Sequence, residues 1–105
     1  MSMEKMLREL TDQLYKYNAW LGNKVLKPED IEEEEDNLKD VLKEQQELKE
    51  LLAYLKNASI GDNWENDTDN LMKLHTLLNG FSWYFQNIHK ILMDIFKNYP
   101  HGAND

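Results

Sequence analysis

The sequence predicts an all-α fold: an elongated antiparallel bundle of three long helices with coiled-coil-like packing, or four helices if the third breaks at Gly80. Three observations predict it. Apolar residues recur at steps of three and four through three long stretches, the period of one helix face. Turn formers separate those stretches, at Gly22-Asn23 before Pro28 and again over residues 57–63. The stretches are also much longer than the globular mean of about 11 or 12 residues, which favours rods packed side by side over a compact globin-like arrangement.

The first helix is expected over about residues 2–23, where Met3, Leu7, Leu10, Leu14, Tyr17 and Leu21 form one stripe. Met6 and Trp20 widen one edge of it, and Tyr15 points away. Ser2 is placed to cap the start, and Gly22-Asn23 offers a left-handed stop. The second helix is expected over about residues 29–57. Pro28 suits a first turn, and Glu29 and Asp30 meet the positive end of the helix dipole. Its seam reads Leu38, Val41, Gln45, Leu48, Leu52 and Leu55. The unbroken acidic run from Glu32 to Asp36 has only Ile31 as an anchor, and such blocks repel themselves, so ordered helix is expected to begin nearer Asn37.

The third helix, expected over about residues 63–98, carries the longest pattern. It runs Leu71, Leu74, Leu78, Phe81, Phe85, Ile88, Leu92, Ile95 and Tyr99, flanked by Leu77, Tyr84 and Ile91. A stripe this wide needs two partners, which makes this helix the central element. Asp62 and Glu65 have capping-box spacing, with Asp67 and Thr68 as alternative caps. Glycine costs about 1 kcal/mol inside a helix, but the apolar phase runs straight through Gly80, which favours one continuous helix. Pro100 ends the pattern, and the tail over residues 100–105 is expected to be disordered. Together the helices make one domain over residues 1–105.

Composition narrows the function classes. There is no cysteine, so disulfides, thiolate metal sites and a cysteine nucleophile are excluded together. No stretch approaches the run of about 18 apolar residues that spans a bilayer, so neither a membrane partner nor a signal peptide is expected and a cytoplasmic location follows. The net charge of −8 argues against direct nucleic-acid binding, which normally needs a basic footprint. Residues 29–50 hold eleven acidic and three basic groups, so that segment alone accounts for −8. Lysine outnumbers arginine eleven to one and asparagine is as common as lysine, a bias of AT-rich coding genomes such as those of low-GC bacteria and their phages.

No constellation carries chemistry. Inward Glu-x-x-His pairs of di-metal bundles are missing, and His75 and His89, fourteen residues apart, are separated by about 21 Å along one helix side, too far to share an ion. Glu32-x-x-Glu35 and Glu44-x-x-Glu47-x-x-Glu50 resemble the carboxylate spacing with which all-α nucleotide pyrophosphohydrolases hold Mg²⁺. Here, however, every pair lies on one helix among Lys39, Lys43 and Lys49, the pattern of a solvated face. No catalytic residue, metal or cofactor is therefore expected, and the chain is not expected to be an enzyme.

Tryptophan placement is more informative. Trp83 falls among Thr76, Asn79, Asn87 and Lys90, so a continuous helix leaves its indole outside, the usual chemistry of a binding anchor. Trp20 and Trp64, near helix ends, either cap the bundle or join the same surface. Two readings follow. The first is a non-catalytic adaptor or inhibitor that binds another protein through a helical face, with homodimerisation as one form of it. The second is an acidic nucleic-acid mimic, in which Glu32, Glu33, Glu35, Asp36 and the acids after them imitate phosphates to occupy a basic groove. Size and helical character are shared with small bacteriocin-immunity proteins and phage-encoded inhibitors, with no motif carrying the likeness.

Overall fold

Three helices and no strand make up the computed structural model, which describes residues 2–100: α1 Met3–Trp20, α2 Pro28–Leu55 and α3 Trp64–Asn98. They run up, down and up, so α1 and α3 are parallel and both oppose α2. The radius of gyration is 18.5 Å and the molecule measures 64 × 26 × 23 Å. A compact domain of this length has a radius near 13 Å, so the bundle is a rod. At 1.5 Å per residue α3 is about 52 Å long and α1 about 27 Å, so α1 flanks only part of α3 and the α2–α3 hairpin projects beyond it as a two-helix arm.

Local chemistry sets the helix ends. The Ser2 hydroxyl accepts the Lys5 N–H at 3.2 Å, and Gly22 and Asn23, with φ of 74° and 60°, provide the left-handed stop after α1. Pro28 occupies the first turn of α2, where the Asp30 carboxylate accepts the Lys27 N–H at 2.9 Å. The acidic run does not fray: α2 is helical from Pro28, nine residues before Asn37. Its period explains why, because Ile31 packs on the core while Glu34 and Glu35 turn inward to partners on α3 and α1, which relieves part of the crowding. Asn63, neither of the predicted pairs, caps α3 by accepting the Asn66 N–H, and Asp67 instead accepts the N–H of Gly61.

α3 is continuous through Gly80. A β-carbon there would meet the carboxyl group of Glu44, so this glycine leaves room for that side chain between α2 and α3. The predicted tail falls outside the described residues apart from Pro100.

The core lies where all three helices meet: Leu7, Leu14 and Leu21 of α1 and its end, Leu38 and Val41 of α2, and Tyr84, Ile88, Ile91 and Ile95 of α3, closed by Leu26 in the first connection. Each fully buried aliphatic side chain contributes roughly 1.5–3 kcal/mol. The core line of α1 is rotated from the predicted stripe, because Thr11 and Asn18 are buried while Leu10 and Tyr17 are exposed. Both polar groups are satisfied. Thr11 Oγ1 donates to the Leu7 carbonyl at 2.8 Å, and Asn18 donates to the Leu26 carbonyl at 2.8 Å while accepting the N–H groups of Val25 and Leu26. Tyr15, expected to point away, packs against the core and donates its hydroxyl to Glu35 at 2.8 Å. On α3 the residues read as flanks, Leu77, Tyr84 and Ile91, are core, and half of the predicted seam is outside.

Candidate functional site

Two edges of α1 and two of α3 are assigned by what they touch. On α1, Arg8 and Tyr15, two turns apart, face α2. The Arg8 guanidinium holds Glu35 through two parallel hydrogen bonds of 2.8 and 2.7 Å and reaches Asp12 as well. Those bonds hold the Glu35 carboxyl below the usual carboxylate range, and burial, aided by Glu35, pushes the Tyr15 hydroxyl up. On α3, Gly80 and Asn87 face α2: Asn87 Nδ2 donates to both oxygens of the buried Glu34 at 2.8 and 2.7 Å. Nearby, one Glu44 oxygen is buried without a hydrogen-bond partner, and burial, with Asp40 and Glu47, raises its carboxyl above the ordinary value.

The opposite edges meet each other. Trp20 of α1 stacks on Tyr99 just past α3, with ring centroids 5.1 Å apart, and Tyr17 meets the same ring edge-on at 6.2 Å. With 3.6 residues per turn, the α1 edge that bears Tyr17 and Trp20 also bears Met3, Met6 and Leu10. The α3 edge that leads to Tyr99 bears Leu71, Leu78, Phe85 and Leu92, one every seven residues. All ten side chains are between 39% and 65% exposed. Monomers seldom expose apolar groups in so continuous a strip, and patches of this kind mark docking surfaces.

Thus a shallow apolar face, running about 42 Å along α3 from Leu71 to Tyr99 with α1 beside only its C-terminal part, is the feature that the three-helix interior leaves unused. Its electrostatics are mild. Lys5, Arg8 and Lys16 of α1 balance Glu4, Glu9 and Asp12, and between Leu71 and Tyr99 the charges are Lys73, Lys90, Lys97 and Asp94. The eleven acids and three lysines of residues 29–50 lie on α2, outside this pair of helices.

The structure places the sequence candidates in four locations. Trp20 belongs to the α1–α3 face. Trp83 is exposed as predicted, but it stands over the other groove, beside Glu44 and Thr76 between α2 and α3. Trp64 is exposed at the start of α3, on the far arm, so the three indoles share no surface. Glu32, Glu33 and Asp36 are exposed along α2, whereas Glu35 is engaged within the chain by Arg8 and Tyr15. Sequence reasoning missed Leu10, Tyr17, Leu78, Phe85 and Leu92 as surface residues because it assigned them to the core. The seven-residue step from Leu71 to Tyr99 was the available signal.

His75 and His89 are exposed, and among the described residues no group of three or more acidic or histidine side chains is placed to hold a metal ion. No described helix is long and apolar enough to cross a membrane. Comparison of the chain with protein-family models, with curated proteins and with solved structures finds no match.

Proposed function

We propose that the chain is a non-catalytic docking module that binds another polypeptide through its α1–α3 face. The observation that carries this reading is the exposed heptad stripe Leu71, Leu78, Phe85 and Leu92 beside Tyr17 and Trp20. Exposed leucines and aromatics at helical spacing suit a helix laid into the groove, because such a partner buries one anchor per turn or two without leaving backbone polar groups unpaired. Tyr17, Trp20 and Phe85 offer large rigid area with little side-chain entropy to lose, the usual make-up of an interface centre.

A second reading, the acidic mimic of nucleic acid, draws on α2, where Glu32, Glu33 and Asp36 are exposed. Two facts weaken it: Glu34 and Glu35 are spent inside the bundle, and Lys39 and Lys43 interrupt the acidic surface. Affinity capture from an extract of the source organism separates the two. Docking through the α1–α3 face predicts capture that survives salt and is lost with Leu92→Lys. Capture that collapses with moderate salt and is indifferent to Leu92→Lys would favour the mimic and end the docking reading.

A further inference from the structure

We propose that the α1–α3 face is occupied by a second copy of this chain, with the two α3 helices crossing antiparallel at Phe85 in a two-fold symmetric dimer. This rests on the reading of that face as a docking surface and names its occupant.

Three features of the face select a second copy. The first is its internal symmetry. Leu71, Leu78, Phe85, Leu92 and Tyr99 are evenly spaced about Phe85, so an antiparallel twin sets Leu78 against Leu92, Leu71 against Tyr99 and Phe85 against its own counterpart. A two-fold interface requires such self-complementarity, each patch serving as both surface and partner.

The second is area. The face is about 20 Å wide, the breadth of two adjacent helices, along the roughly 27 Å of α1, and about 10 Å wide where α3 continues it alone to Leu71, which together offer roughly 700 Å² per copy. A standard stable interface buries about that much on each side.

The third is charge. Two chains of −8 repel each other, and the repulsion is least when their acidic surfaces are farthest apart. Apposing the α1–α3 faces does this, since α2, which alone sums to −8, is then turned outward in both copies. The outer flank of the α3 stripe, through His75, Ser82, Gln86 and His89, carries no acidic residue, lysine or arginine to oppose its twin. Beyond the start of α1 the stripe continues along α3 of the projecting arm, where Leu71 is exposed. In the dimer each arm extends along the partner.

Analytical ultracentrifugation of the purified full chain tests the mass, and a cysteine scan tests the register. The wild-type chain should sediment at twice its mass in the range of about 1–100 μM, and Leu92→Lys should weaken association at least about tenfold. Met72→Lys, the same kind of change at an exposed apolar residue on another face of α3, should leave it unchanged. Circular dichroism of each variant confirms that the helices persist. Because the chain has no cysteine, Phe85→Cys should give disulfide-linked dimers on oxidation, while Leu78→Cys should link only when mixed with Leu92→Cys. A monomeric wild-type chain, a dimer indifferent to Leu92→Lys, or Leu78→Cys linking to itself each overturns the proposal. A monomer that still captures a foreign protein through Leu92 leaves the docking reading standing, and a chain that neither self-associates nor captures anything ends both.

Discussion

Replacing Gly80 with alanine sets two opposed effects against each other at one atom. Alanine in a helix interior gains up to about 1 kcal/mol over glycine, partly by restricting the unfolded chain. The new methyl collides with the Glu44 carboxyl group of α2, which must move. That group is the far end of a flexible side chain, and one of its oxygens is already buried without a hydrogen-bond partner. Swinging outward restores water to that oxygen and so relieves part of the roughly 1–3 kcal/mol that an unsatisfied buried group costs. The gain should survive: Gly80→Ala should stabilise the chain by about 0.5–1 kcal/mol and raise the melting temperature by about 4 °C.

Thermal and urea unfolding followed by circular dichroism measure this change, and a cycle with Glu44→Ala isolates the displacement, since in that background the methyl meets no carboxyl group. Gly22→Ala is the contrasting case, because its φ of +74° strains any β-carbon and should cost about 1 kcal/mol. Destabilisation by Gly80→Ala in both backgrounds would refute a continuous helix, and destabilisation only where Glu44 is present would refute a carboxyl group free to swing aside.

Other outcomes follow from the buried polar groups. Asn18→Ala strands two N–H groups and one carbonyl of the first connection and should lower stability by about 2–4 kcal/mol, seen as a lower urea midpoint with an unchanged slope. Glu35→Gln should cost about 1 kcal/mol near neutral pH, a modest figure because Arg8 and Glu35 are about 40% exposed. Since the folded Glu35 carboxyl titrates below its ordinary value, that stabilisation is complete above 4.5 and is lost as pH falls through the lower folded value, so wild-type and variant melting temperatures should converge in acid. Glu44→Gln should do the reverse. With the folded carboxyl raised, ionised Glu44 opposes folding above that raised value, so the variant should be the more stable at neutral pH and lose its advantage below 4.5, as melting curves across pH will read.

Local sequence chemistry determined the elements of this protein. Leucines every three or four positions, Ser2 and Pro28 at helix starts and the left-handed pair Gly22-Asn23 place α1 and α2 to within a few residues, and the unbroken phase across Gly80 made α3 one helix. Of the site, the sequence yielded Trp20 and the surplus width of the third stripe. Tertiary structure decided which side of each helix is inside. A stripe wide enough for two neighbours has no inherent inner half, and the choice fell to polar residues whose partners are distant in sequence: Asn18 with the backbone of Val25 and Leu26, Glu34 with Asn87, and Glu35 with Arg8 and Tyr15. Once those groups could be buried with their hydrogen bonds made, α1 and α3 turned toward them. Leu10, Tyr17, Phe85 and Leu92 were left on a common outer face, because periodicity in one helix carries no information about how much apolar surface its neighbours can cover.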